Sequence, residues 1–425
     1  MREYWRLCNL SSGTRPRGLV FQCHPYTGSV TGEPTVSAQT TAGKGSGLTV
    51  GTLRRIEDLE AIGGEWDVMV RAMPRPSPSM LHAWLAEWWR FHGHGELNVH
   101  VAWRGGELVG GLPFHIRRSF GLRLVEFVGG HDSALADILL ADPGDAATAG
   151  AIARHAVASP HDAADVFGLT ADSRLRSQLG DNGLHVIERV EAPVLDISSG
   201  WDAVYREKTT SKKRNLHRRR RRQLGEIGEL SVEVARTPEE LVAALEDAVR
   251  LHELRWEGRP DGSGFASPVG RRFYRSALSR MAEDDIPRIL TLKVGGQAVA
   301  FHLYFAFCER MYVHRLAFDP SVGRFSPGVV STLDAIEAAE AEGLKVVEFL
   351  GGDERYKVEL ADRFEPLHQG LGLARTPQGY AYVATRMASI RTRRRLKRSE
   401  RIHRFYFEGL APVRRVVERA RESVR

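Results

Sequence analysis

The apolar positions between Arg310 and Lys357 change period three times. RMYVHRLAFDP alternates and is rich in β-formers, so a strand is predicted. SVGRFSPG breaks that pattern with small and turn-forming residues. VVSTLDAIEAAEAEG then carries apolar residues at helical spacing, KVVEFLGG reads as a second strand, and Asp353-Glu354-Arg355-Tyr356-Lys357 follows. Upstream, the same signals predict helices over residues 53–73 and Ser79–Gly93. They predict a hairpin about Gly105-Gly106, strand-like sequence over Arg123–Leu140, a helix over 146–158 and a short strand over Asp165–Leu169. Further on come helices at 238–258 and around Arg271–Met281, and a second hairpin about Gly295-Gly296.

That order is an internal duplication: helix, helix, hairpin, strand, helix, strand, twice over. Asp142-Pro143 in the first copy is echoed by Asp319-Pro320 in the second. The copies differ where a strand meets its helix. The second has the long SVGRFSPG loop and the first only PGD. A loop of small residues at a helix start suits an anion, because first-turn N–H groups lack internal partners and carry the positive end of the helix dipole. Pro327 fits the first helical position, Gly328 lets backbone approach closely, and Arg324 offers a charged hydrogen bond. A plain α/β crossover with an ordinary cap accounts for the loop equally well.

The chain has 425 residues and 42% hydrophobic content, enough for two to three domains with proper cores. No apolar run approaches the ~20 residues that cross a bilayer. The first 23 residues show no continuous apolar stretch and no clear cleavage site, so no secretory signal is expected. Cys8, Cys23 and Cys308 make no disulfide framework, and no Cys/His cluster has zinc spacing. A reduced, cytoplasmic protein without a metal is expected. The net charge of +7 is uneven. Residues 206–222 hold ten Lys/Arg against one Glu, and residues 385–425 hold fourteen against four Glu, which leaves the rest of the chain at −12. An acidic body with two basic segments argues against a plain nucleic-acid binder.

Four segments carry a resemblance. Pro76–Trp89 (PSPSMLHAWLAEWW) precedes the first hairpin, and Ser211–Arg222 (SKKRNLHRRRRR) sits at the junction of the halves. Phe318-Asp319-Pro320 with Ser326-Pro327-Gly328 forms the strand-to-helix loop, and Phe349–Lys357 (FLGGDERYK) ends the unit. In this order they resemble the duplicated FemAB-like branch of the GNAT acyltransferase superfamily. They look most like CelD/BcsL-type acetyltransferases of cellulose and exopolysaccharide loci. The resemblance covers about residues 51–376, and Glu348 stands where that family usually has Asp.

The resemblance implies an α/β chain with mixed sheets and a tandem duplicated GNAT-like fold. It divides the chain into a disordered extension (1–50), an N-terminal GNAT-like domain with a degenerate cofactor loop (51–200), a C-terminal GNAT domain with a basic junction segment at 206–222 (201–376), and a basic tail (377–425). It also implies direct transfer of an acetyl or similar group from acyl-CoA to an amine or hydroxyl of a sugar, nucleotide-sugar or polysaccharide precursor. Such transfer needs a pyrophosphate cradle, a carbonyl-polarising donor, a base and a partner for the thiolate. Arg324, Ser326 and Gly328 are the cradle candidates, with a strand N–H near Ala317–Asp319 for the carbonyl.

His302, His314, Glu348 and Asp353 are the candidate bases. If residues 302 and 314 pair across the second hairpin, both imidazoles share one face of the sheet. Each alone reads more readily as a hydrogen-bonded, partly buried strand residue. Lys357 offers a charge for an oxyanion or an acceptor anion, and Tyr356 a proton for the thiolate; a surface salt bridge and a packed ring are the plainer accounts. The eight Lys/Arg of residues 212–222 are too dense for a solvated helix face and lack aromatic interleaving. FemAB-like relatives use the matching region near a nucleotide-linked, phosphorylated acceptor, so the resemblance implies that Lys212, Arg214 and Arg218 bind substrate or cofactor phosphate. The tail is compatible with peripheral contact to an anionic inner-membrane surface or a polysaccharide synthase, and equally with a docked helix. The alternatives are an aminoacyl-tRNA-dependent FemAB-type transferase, the one case that would bring in nucleic acid, and a non-catalytic adaptor in a polysaccharide assembly.

Overall fold

The computed structural model describes residues 41–42, 47–180, 183–256, 264–352 and 354–398. In its first half the strands are β1 (Thr41–Ala42), β2 (Leu48–Leu53), β3 (Glu96–Arg104), β4 (Glu107–Ser119), β5 (Leu122–Phe127), β6 (Leu139–Leu140), β7 (Ala163–Leu169) and β8 (Leu184–Val190). Then come β9 (Pro193–Asp196), β10 (Leu230–Ala235), β11 (Pro287–Val294), β12 (Gln297–Phe307), β13 (Arg310–Phe318), β14 (Val346–Glu348), β15 (Arg363–Phe364) and β16 (Leu367–Gly372).

They form two mixed sheets. One runs β1-β2-β3-β4-β5-β7-β16-β8 with β6 beside β4, and the other β10-β11-β12-β13-β14-β9-β15. From β2 and from β10 the two paths match position by position. In each, two antiparallel hairpin partners lead to a parallel pair (β5 with β7, β13 with β14) joined through a helix, Ala146–Ala158 or Pro327–Ala341. The duplication expected from the sequence is thus visible as two similar sheets.

The halves exchange strands. β9, from the end of the first copy, lies between β14 and β15; β16, from the end of the second, lies between β7 and β8. Neither sheet closes with its own stretch of chain, which makes the two copies one folding unit. Sequence periodicity does not announce this, because β9 and β15 are too short to show a period.

The helices ahead of each hairpin, His82–His92 and Pro268–Met281, pack on each other between the sheets. Both follow a Ser-Pro turn, and Ser267 caps its helix by accepting from Gly270 N–H. Trp84 is fully buried there, edge-on to Phe273 at 4.9 Å and to Phe305 at 5.4 Å. Truncating such a side chain costs about 3–5 kcal/mol. Glu60 and Glu87 of the first half bond Arg280 of the second at 2.5 and 3.2 Å.

The sheet begins earlier than composition suggests, since Thr41–Ala42 and Leu48–Val50 already belong to it. The remaining residues of the stretch read as disordered lie outside those described. Of the basic tail, Pro377–Arg398 is a helix docked on the first sheet. Tyr382 donates to Asp165 at 3.0 Å, Arg386 pairs with it at 3.1 Å, and Ile390 packs on Leu371. The rest of the tail, 399–425, lies outside the described residues. No helix among the described residues is long and apolar enough to cross a membrane.

Candidate active site

β13 and β14 run together for only three register pairs, Arg310 with Val346, Met311 with Val347 and Tyr312 with Glu348. β14 then stops, while β13 continues to Phe318. Among the described residues no strand pairs with this side of β13 beyond Tyr312. Asp319 N–H is taken by Val299 O of β12 at 2.8 Å. Alternation along a strand therefore turns the N–H groups of Phe318 and Leu316 toward the open side. Of the stretch 317–319 named for the carbonyl, Asp319 is excluded and Phe318 fits.

The predicted loop is a short 3-10 turn, Pro320–Phe325, ending at Ser326 in a left-handed conformation (φ 53°). Ser326 O accepts from Val329 and Val330 N–H and opens the helix, while its side chain caps nothing. Gly328 is small for a packing reason: a Cβ there would lie 2.9 Å from the Phe318 ring. Two guanidinium groups flank the loop, Arg324 over Phe325 at 4.6 Å and Arg255 over Phe318 at 4.5 Å. Arg255 lies on the helix Pro238–Trp256 and carried no sequence signal. An exposed Arg324, a bare helix start and an open strand edge together fit a phosphate-bearing thioester laid along β13.

His302 and His314 do not share a face. The register of β12 and β13 jumps from Leu303–Arg315 to Tyr304–Val313, so His302 faces Leu316 and His314 is the extra residue of a bulge. The bulge sends the two rings to opposite sides. His302 points at the helix Pro327–Ala341, its Nε2 3.1 Å from Thr332 Oγ1 and its buried Nδ1 without a partner. Burial, and then the Lys357 charge, push its pKa down to about 3. Tyr356 bonds to the same Thr332, and Lys357 Nζ reaches Phe349 O at 3.4 Å and Glu354 at 3.0 Å. His302, Tyr356 and Lys357 thus gather on one face. Asp353 lies outside the described residues.

His314 turns to the other face, against Trp84, Phe305 and Tyr274. The Tyr274 hydroxyl donates to Asp132 Oδ1 at 3.0 Å and meets His314 Nε2 at 2.8 Å. One hydroxyl has one proton, so His314 Nε2–H is the donor in the second bond and Nδ1 is left as the basic nitrogen. Arg315 holds the same Asp132 oxygen at 2.7 Å. Burial, and then the charge of Arg315, hold the His314 pKa well below the usual imidazole value. Burial, assisted by Asp132, keeps the Tyr274 hydroxyl protonated. Asp132 comes from the first half and the rest from the second. Tyr274 and Asp132 escaped sequence reasoning, since Tyr274 reads as one more ring on an apolar helix face.

The basic segment forms the helix Ser211–Gly225, which packs on the helix Pro327–Ala341 and on the 320–325 turn. Of its candidates, Arg214 is occupied with the carbonyls of Arg206 and Thr209, whereas Lys212 and Arg218 are exposed. Glu348 is fully buried, gripped by Arg75 and Arg310. Among the described residues no three His, Cys, Asp or Glu side chains are grouped so as to hold a metal ion.

Residues 211–358 match the family model described as an acetyltransferase (GNAT) domain. No curated protein sequence matches the chain. Among solved structures, FemX superposes with a TM-score of 0.54 at 11% identity, over 76% of this chain and 98% of FemX. L-PGS from Bacillus licheniformis gives 0.49 at 12% identity, over 77% of this chain and 95% of that one. A tandem GNAT protein from the clavulanic acid biosynthesis pathway gives 0.45 at 14% identity, over 77% and 99%. At such identities the likeness to FemX is one of fold. The match over residues 211–358 supports an acyltransferase.

Proposed function

We propose that this acyltransferase moves an acetyl or similar group from acyl-CoA to an amine or hydroxyl of a sugar or nucleotide-sugar precursor, with His314 as the base. The observation that carries this reading is the Asp132–Tyr274–His314 chain of hydrogen bonds beside the open edge of β13. The base is oriented by a second group, which is itself oriented by a third.

His314 Nδ1 accepts the proton of the attacking amine or hydroxyl. The freed lone pair forms the new bond to the thioester carbon, and the Phe318 and Leu316 N–H groups stabilise the developing oxyanion. As the carbon–sulfur bond breaks, the electron pair leaves with sulfur, and the His314 imidazolium returns its proton to the thiolate. Arg324 and Arg255 hold the phosphates at the helix start. Burial pushes the Tyr356 hydroxyl above its ordinary pKa, so it suits the hydrogen bond to Thr332 better than proton donation. Lys357, buried beside it, supplies a positive charge at the end of β14. Arg315 and Asp132, from opposite halves, place the acceptor between the copies.

A second reading, transfer from an aminoacyl-tRNA, is favoured by one feature, the exposed Lys212, Arg218, Arg219 and Arg222 on the basic helix. Isothermal titration with acetyl-CoA and CoA, followed by transfer assays on amino- and hydroxyl-sugar acceptors, tests the first. Micromolar binding and acceptor-dependent release of CoA are expected. A folded protein that takes up neither ligand would overturn it.

A further inference from the structure

The tightest turns of the two sheets place residues at positive φ, and most use glycine. The β3–β4 turn has Gly105-Gly106 (φ 61° and 89°) and the β11–β12 turn has Gly295-Gly296 (57° and 80°). The β4–β5 turn is different, with Phe120 at φ 49° before Gly121 at 79°. A bulky residue at the first of two left-handed positions costs backbone energy that Asn or Gly avoids. Packing among the described residues does not repay that cost, because Phe120 is 89% exposed, the most exposed large apolar residue described. In the matching turn of the second copy, β12–β13, the left-handed residues are Cys308 (φ 50°) and Glu309 (57°), and Cys308, at the position of Phe120, packs half-buried against the core.

The surroundings of Phe120 are basic. The ends of β2, β4 and β16 and the starts of β3, β5 and β7 meet at one end of the first sheet. Asp162 knits this end together: it accepts Arg123 N–H at 2.7 Å and Arg375 N–H at 3.0 Å, and Gly379 lies against its carbonyl. Arg54, Arg55, Arg117, Arg118, Arg123 and Arg375 gather here against Glu57, Glu96, Glu126 and Asp162, leaving two positive charges in excess. Tyr380, beside Gly379, is a second exposed ring at 64%. The catalytic groups lie elsewhere: Asp132 follows the opposite end of β5.

We propose that this end of the first sheet docks on an anionic lipid bilayer. Phe120 inserts between headgroups, Tyr380 rests at the interface, and the arginines pair with lipid phosphates. Exposed aromatic rings beside arginine are what a membrane interface selects, and a patch of this charge gives reversible, salt-sensitive attachment. Apart from Gly379 and Tyr380, the surface lies outside the basic C-terminal tail.

The test is co-sedimentation of the full chain with vesicles of phosphatidylglycerol and phosphatidylethanolamine, beside pure phosphatidylcholine vesicles, for the natural protein and for Phe120→Asn. Asn suits the turn, so the variant should melt at the same or a higher temperature. The natural chain is expected to bind the anionic vesicles and release as salt rises, with the bound fraction of the variant lower by threefold or more. Equal binding by both proteins would assign attachment to another segment and overturn the proposal. So would no binding by either, or a change of oligomeric state on substitution, which would mark Phe120 as a protein contact.

Discussion

Arg75 of the first copy grips Glu348 of the second through two parallel hydrogen bonds, Nη2 to Oε2 at 2.6 Å and Nε to Oε1 at 3.2 Å. Glu348 is wholly buried at the last register pair before β13 and β14 part, and Arg310 reaches its Oε1 at 2.7 Å. The cleft therefore opens at an ion pair that ties the two copies together. Replacing Glu348 by Gln leaves two guanidinium groups facing a neutral amide. A loss of about 3–5 kcal/mol is expected, read from urea unfolding. Glu348→Asp withdraws the carboxylate by one methylene and should lose part of that. Arg75 needs the longer side chain, which gives the departure from Asp at this position a physical reason.

Tyr274→Phe removes the link between Asp132 and His314 and keeps the ring in its place between Phe273 and Phe265. If His314 is the base, kcat should fall by about 10²-fold, at the lower end of general-base contributions. KM for acyl-CoA should hardly move, because Tyr274 lies off the phosphate loop. His314→Gln should lose at least as much, and combining the two should cost little more than the second alone. Additive losses would mean that the residues act separately.

The order of elements was legible because each hairpin and each strand–helix–strand unit carries its own period. The strand exchange was not, since β9 and β15 are too short for a pattern and their partners lie more than a hundred residues away. The site was half legible. Arg324, Ser326 and Gly328 stood out through turn chemistry, and His302, Tyr356 and Lys357 do come together. A single-residue bulge defeated the pairing of His302 with His314, because it reverses the face of every residue beyond it. Asp132 and Tyr274 gain meaning only when the two copies pack.

Arg324 and Gly328 should fail differently. Arg324 is exposed and, among the described residues, lies over Phe325, so Arg324→Ala should leave stability unchanged and weaken acyl-CoA binding about tenfold. Gly328→Val drives side-chain atoms into the Phe318 ring and displaces the helix start that receives the phosphate. It should lower both the melting temperature and the affinity. Titration calorimetry beside thermal unfolding separates the two effects.

Buried neutral histidines set the acid limit of the fold. Burial pushes the pKa of His302, His115 and His252 down to about 3, against about 6.5 in an unfolded chain. As pH falls through 6.5 the unfolded chain takes up protons that the folded one refuses. Stability is therefore full above pH 6.5, declines between 6.5 and about 3, and is flat with respect to these groups below that. Each such histidine steepens the decline by at most about 1.4 kcal/mol per pH unit. His302→Gln removes one titrating group and keeps a hydrogen-bonding side chain near Thr332. Urea midpoints at pH 7.5, 5.5 and 4.5 should therefore fall less steeply for the variant than for the natural chain. Parallel slopes would mean that His302 is already protonated in the folded protein, with Lys357 beside it displaced.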